Sequence, residues 1–194
     1  SSEVDEKRLK EEISGRMKMK WLEYVEQGKW VKYLGKEWTR RATPGDEKDA
    51  FAVRVPERYF QAILEQHGLK ECRPVATPGE QQNQVDDTSF LDPAMHRRYR
   101  RTVGALMWVI AERPDLADSI RTLSRGAAHP TVAQWSHMKR LLRYLCGTTT
   151  LELELSLVDG PLEVLGIADA AWAAGPDRKS VSGVVLMLQG LLLN

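Results

Sequence analysis

The feature that most narrows the fold lies between Asp92 and Leu157, where the period of the apolar residues changes. Up to Gly147 they recur at helical spacing in three runs, each opened near a proline. Met95, Tyr99, Val103, Leu106 and Ile110 follow Pro93. Leu116, Ile120 and Leu123 follow Pro114. Trp135, Met138, Leu141, Leu142 and Leu145 follow Pro130. Proline is harmless in the first turn of a helix, where its missing N–H would have no intrahelical partner. Asp92 stands in front of the first run as a side-chain cap. From Leu151 the period drops to two. Leu151, Leu153, Leu155 and Leu157 alternate with Glu152, Glu154 and Ser156, the pattern of a half-buried strand. The chain therefore reads as α+β, with a small helical bundle leading into a sheet.

The flanks extend this reading. Residues 3–18 are highly charged, with Leu9, Ile13 and Met17 on one helical stripe. After Gly28, residues Trp30 to Trp38 read as a strand, and Phe51, Val53 and Val55 point to one side of a second. Thr43-Pro44-Gly45-Asp46 is a turn between them, giving an antiparallel hairpin. Pro56 opens a helix whose apolar face is Tyr59, Phe60, Ile63 and Leu64 and which Gly68 ends. Residues 73–91 are rich in Pro, Gly, Gln and Asp without periodicity, as in a linker or long surface loop. Beyond Leu157, Asp159-Gly160 is a hairpin turn, residues 162–169 form a second strand, and Ser180–Leu188 a third.

Charge is unevenly distributed. The whole chain carries a net charge of +1, yet between Met95 and Leu145 there are ten basic residues against three acidic ones. Such a stretch suits a polyanionic partner or a set of solvated helix faces. Cys72 and Cys146 have neither the spacing of a disulfide framework nor that of a metal site, and read as reduced, small apolar residues. The longest apolar runs, 103–111 and 183–193, are shorter than the ~20 residues a bilayer requires, and the acidic start is no signal peptide. The expectation is a soluble intracellular protein.

Several segments, in order, resemble the Pol polyprotein of copia-type LTR retrotransposons. Tyr33-Leu34-Gly35-Lys36-Glu37 resembles F-L-G-x-E. Tyr59 through Gly68, with Cys72-Arg73-Pro74-Val75-Ala76-Thr77-Pro78, resembles Y-x-x-x-x-L-x-x-x-G and C-x-P-V-x-T-P. Tyr99-Arg100-Arg101-Thr102-Val103-Gly104-Ala105-Leu106 and Arg113-Pro114-Asp115-Leu116-Ala117 resemble Y-R-x-x-V-G-x-L and R-P-D-I-A. Residues 139–148 resemble K-R-x-L-R-Y-L-x-G-T, and residues 169–173 and 177–183 resemble D-A-D-W-A and D-x-R-K-S-x-S-G.

The resemblance implies four parts: a reverse transcriptase palm end and thumb (1–78), a linker (79–92), a helical connection segment (93–148), and the first strands of a ribonuclease H-like sheet (149–194). It implies RNA-directed DNA synthesis and RNA–DNA hybrid cleavage in the intact polyprotein, with Mg2+ as cofactor. The implied partners are an RNA–DNA hybrid or primer–template and the rest of the polyprotein, in a cytoplasmic virus-like particle or the nucleus. A decayed or repurposed nucleic-acid-binding remnant without enzymatic activity is the alternative.

Both reactions need carboxylates that hold two metal ions rigidly. By the resemblance, the polymerase carboxylates lie N-terminal to every matched segment, so the chain as given is expected to be catalytically incomplete. Gln84-Val85-Asp86-Asp87 imitates a Tyr-x-Asp-Asp hairpin. It is rejected because it sits among polar linker residues, not between apolar strands, and follows the thumb helix. Asp169 matches the first ribonuclease H carboxylate and is the one candidate catalytic and metal-binding residue. Position 171 is Ala where the family has Asp, and residues 188–194 read as a truncated or frameshifted tail. Arg97, Arg98, Arg100 and Arg101 on one helix, and Lys139, Arg140 and Arg143 on another, are the candidate phosphate contacts. Trp30 and Trp38 are strand-packing residues or base-stacking platforms. His67, His96, His129 and His137 are structural or surface residues.

Overall fold

The computed structural model describes residues 2–19, 24–42, 49–79, 88–156, 161, 163–172, 180–189 and 191–193. The elements are α1 (Ser2–Arg16), β1 (Val31–Tyr33), β2 (Lys36–Ala42), β3 (Asp49–Arg54), α2 (Glu57–Gln66), α3 (Pro93–Met107), a 3-10 turn (Pro114–Leu116), α4 (Ala117–Arg125), α5 (Val132–Cys146), β4 (Leu153–Leu155), β5 (Val164–Ala171), β6 (Val181–Leu188) and β7 (Leu191–Leu193). The α+β class stands. The turns expected at 43–46 and at Asp159-Gly160, the Gln84–Asp87 segment and Asp177-Arg178-Lys179 lie outside the described residues.

The helices form as their caps dictate. The Asp92 carboxylate accepts from the backbone N–H groups of Ala94 and Met95 at 2.8 and 2.9 Å, satisfying two donors that have no partner inside α3. Thr131 and Gln134 make a reciprocal capping box at the start of α5. α2 ends at Gly68, whose φ of +65° lets Leu69 N–H return to the Leu64 carbonyl and Gly68 N–H to Glu65.

These helices enclose one core. Phe60, Ile63 and Leu64 of α2 meet Tyr99, Val103 and Leu106 of α3, Ile120 and Leu123 of α4, and Trp135, Met138, Leu141, Leu142 and Leu145 of α5. The expected apolar stripes are this core, with one shift. α3 stops at Met107, so Val109 in the following turn is fully buried while Ile110 is only partly so. Leu9 of α1 and Met17 just beyond its end, by contrast, are exposed.

The first sheet has strand order β1-β2-β3-β4, all antiparallel. It corrects the sequence reading in three places. Trp30–Trp38 is two strands joined by a two-residue turn at Leu34 and Gly35, with φ of +49° and +79°. Leu-Gly lacks the asparagine or aspartate that usually marks such turns, so the break was hidden. Phe51 faces outward at 40% exposure, whereas Ala50, Ala52, Val53 and Val55 are buried. Small and apolar residues on both faces befit β3, which is interior to the sheet. Finally, Leu153–Leu155 pairs with β3 rather than with the strand that follows it.

β5, β6 and β7 form a separate antiparallel meander. Every residue of β5 is exposed. Residues 191–193, read from sequence as part of a plain apolar tail, are paired with β6 around Gln189.

Candidate nucleic-acid interface

Helical geometry sorts the four arginines of α3. At 100° per residue, Arg97 and Arg101 lie opposite the stripe of Tyr99, Val103 and Leu106, while Arg98 and Arg100 flank it on either side. All four are exposed, while Tyr99 is fully buried and donates its hydroxyl to the Leu123 carbonyl at 2.8 Å. Arg98 flanks the buried stripe on the side of α5. Its guanidinium lies 6.0 Å from the ring of Trp135 on α5, and the Lys139 ammonium lies 6.0 Å from the same ring. A cation from each of the two helices therefore stands at the same ring, at the outer limit of cation–π attraction.

His67, at the end of α2, registers this convergence. Its Nε2 is 2.8 Å from the Thr102 hydroxyl, and that hydroxyl donates to the Arg98 carbonyl at 3.0 Å. With its single proton committed, the hydroxyl can only accept from histidine, which fixes Nε2–H as the donor. The ring sits 5.6 Å from that of Trp135. Burial, then the charges of Arg98 and Lys139, lowers the His67 pKa to about 4. The unfolded chain takes up this proton near the ordinary value of about 6.5. Stability is therefore complete above that pH and falls as the pH drops toward 4. A His67→Asn variant is expected to flatten that limb of the stability–pH curve. In Arg98→Gln and Lys139→Gln, the His67 resonance is expected to titrate at a higher pH by NMR.

Arg140 and Arg143 hold backbone. Arg140 donates to the Gly79 carbonyl at 3.2 Å and the Thr77 hydroxyl at 3.1 Å, and Arg143 donates to the Arg73 carbonyl at 3.0 Å. Residues 73–79, expected to begin a linker, are thereby laid along α5. The structure thus brings Arg98 and Lys139 together, spreads Arg97, Arg100 and Arg101 over the neighbouring face, and gives Arg140 and Arg143 a structural engagement.

Asp169 lies inside β5, opposite Gly183, instead of ending the strand. It is exposed, and its carboxylate accepts from the N–H of Ala170 at 2.8 Å. Among the described residues no three His, Cys, Asp or Glu side chains gather where they could hold a metal ion. One carboxylate does not make a divalent site, so the described residues do not by themselves fit the implied Mg2+.

Two polar clusters were missed from sequence. Arg113, counted there as part of the basic stretch, is 1% exposed. Its guanidinium forks onto Asp115 at 2.9 and 2.7 Å and reaches the Thr148 carbonyl and hydroxyl at 2.8 and 2.9 Å. The Tyr144 hydroxyl completes the Asp115 shell at 3.0 Å. The Arg-Pro-Asp and Gly-Thr segments were both visible, but nothing in their spacing said they meet.

The second cluster is Lys36, 6% exposed. It bonds Glu112 at 2.5 Å and the Trp108 carbonyl at 3.1 Å, and sits 3.5 Å from the centroid of the Trp108 ring. This fastens the β1–β2 turn to the end of α3. A Cβ on Gly35 would stand 3.0 and 3.2 Å from Trp108 ring atoms at a φ that disfavours side chains. Gly35→Ala is expected to destabilise by about 1–3 kcal/mol, read in a urea titration.

Over 94 residues (47% of this chain, 66% of the relative) the chain is 39% identical to the secreted RxLR effector protein 161 of Plasmopara viticola. Over 134 residues (68% of this chain, 54% of the relative) it is 29% identical to an uncharacterized mitochondrial protein of Arabidopsis thaliana. Over 148 residues (71% of this chain) it is 32% identical to the retrovirus-related Pol polyprotein from transposon RE2 of Arabidopsis thaliana, of which it spans 10%. It thus covers less than two thirds of each of these relatives. No protein-family profile and no solved structure matches it. Its homologues at 30–32% identity over about 70% of the chain are retrovirus-related Pol polyproteins from copia-type transposons.

No helix among the described residues is long and apolar enough to cross a membrane.

Proposed function

We propose that this chain is the part of a reverse transcriptase–ribonuclease H that grips the RNA–DNA hybrid or primer–template through α3 and α5. The observation that carries the reading is the convergence of Arg98 and Lys139 on Trp135, felt by His67 and continued over α3 by Arg97, Arg100 and Arg101. Arginines on a rigid helix suit phosphates, which are contacted without regard to base sequence. The fastening of the β1–β2 turn and of residues 73–79 to the helical core favours a firmly held platform.

The antiparallel β5-β6-β7 meander, with Asp169 in its first strand, is compatible with the opening of a ribonuclease H-type sheet. On this reading Asp169 would be one of several carboxylates around Mg2+ in the intact polyprotein. No catalytic step is assigned to the described residues.

The test is the affinity of the purified chain for an RNA–DNA hybrid across a salt series. Binding whose logarithm falls steeply and linearly with log salt supports the reading. Absence of binding at low salt contradicts it.

A further inference from the structure

The two cysteines lie far apart in sequence but meet in the fold. The Cys146 thiol, at the end of α5, reaches the Lys70 carbonyl at 3.5 Å and the Cys72 carbonyl at 3.7 Å, across 74 positions of sequence from Cys72. The segment carrying Cys72 is pressed onto the helix end from both sides of the thiol. Arg143 holds the Arg73 carbonyl, and Pro74 lies so close to Gly147 that an added Cβ there would come within 2.8 Å of it. Both sulfurs belong to partly exposed residues, so a small reagent can reach them.

We infer that Cys72 and Cys146 are a redox pair that closes into a disulfide when a small-molecule disulfide of the glutathione type supplies the oxidising equivalents. The thiolate of one cysteine attacks the reagent, forms a mixed disulfide and releases one glutathione thiol. The thiolate of the second then attacks the protein sulfur of that mixed disulfide and releases the other. Two thiols are oxidised, one reagent disulfide is reduced, and the two protons end on the glutathione products. Burial and then the neighbouring Cys146 side chain hold the Cys72 thiol above its ordinary pKa, so closure is faster in mildly alkaline solution.

The bond would staple the chain beyond α2 to the end of α5, closing a loop of about 75 residues. Such a loop constrains the unfolded chain strongly.

The test treats the whole chain with oxidised glutathione at about pH 8, followed by intact-mass spectrometry under non-reducing conditions. The expected product is a monomer lighter by two hydrogens, with no free thiol. Its Tm should be raised by roughly 10 °C and return to the starting value with dithiothreitol. Cys72→Ser and Cys146→Ser are each expected to stop at a single persistent glutathione adduct. Stable adducts on both cysteines of the unaltered chain would overturn the inference. So would disulfide-linked dimers, or an internal disulfide that leaves Tm unchanged or lower.

Discussion

Arg113→Ala is expected to lower stability by about 3–5 kcal/mol and Tm by roughly 10 °C, the largest effect of any single substitution considered. The side chain is 2% exposed and makes four hydrogen bonds. Its guanidinium also lies 5.6 Å from the Phe60 ring at the edge of the core. Truncation leaves the Asp115 carboxylate without its fork and the Thr148 carbonyl without a donor, and opens space against Phe60. Lysine restores the charge but not the planar fork, so Arg113→Lys is expected to recover only part of the loss.

The same cluster sets an acid dependence. Burial alone would raise the Asp115 pKa. The Arg113 hydrogen bonds and charge, with the Tyr144 hydroxyl, outweigh it and leave that pKa below the ordinary carboxylate value. A lowered folded-state value means the contribution is complete above the unfolded pKa and fades as pH falls through the folded one. In Arg113→Ala this acid limb should largely disappear from denaturant midpoints measured against pH.

Neutralising Arg97, Arg98, Arg100 and Arg101 together to glutamine is expected to weaken hybrid binding by about a hundredfold or more at ~0.1 M salt, and to flatten the slope of log affinity against log salt by about 3–4. The reasoning is that each phosphate contact releases condensed counterions, and exposed helix arginines make such contacts without rearrangement. Circular dichroism should be unchanged, because the α3 residues that build the core are Tyr99, Val103 and Leu106. Arg140→Gln and Arg143→Gln differ in kind. They release residues 73–79 from α5, so they are expected to affect stability as well as affinity.

What the sequence revealed follows from how local each signal is. The stripes of α2 to α5 and their caps at Asp92, Gly68 and Gly147 depend on residues within a few positions of each other, and all were legible. That Arg97, Arg98, Arg100 and Arg101 share one helix was legible for the same reason, and all four are exposed on α3.

The rest depended on distant partners. Asp115, which neutralises Arg113, is only two positions away, but the Thr148 carbonyl and hydroxyl that complete its hydrogen bonds lie 35 positions on, so nothing local marks Arg113 as buried. Lys36 looks like a surface lysine until Glu112 and Trp108 are brought to it. Residues 153–155 alternate as a strand would, but alternation does not say which sheet receives them. The Leu34-Gly35 turn was hidden because leucine seldom adopts a positive φ. Here the adjoining Lys36 anchor and the Trp108 contact hold the turn in place.

The most direct measurement is arginine footprinting with phenylglyoxal, mapped by mass spectrometry, with and without an RNA–DNA hybrid. Protection of Arg97, Arg98, Arg100 and Arg101 by the hybrid, with Arg58 at the start of α2 remaining reactive, is the expected result. Equal modification of all five in both states, or protection confined to Arg58, would contradict the assignment of α3 to the nucleic-acid face.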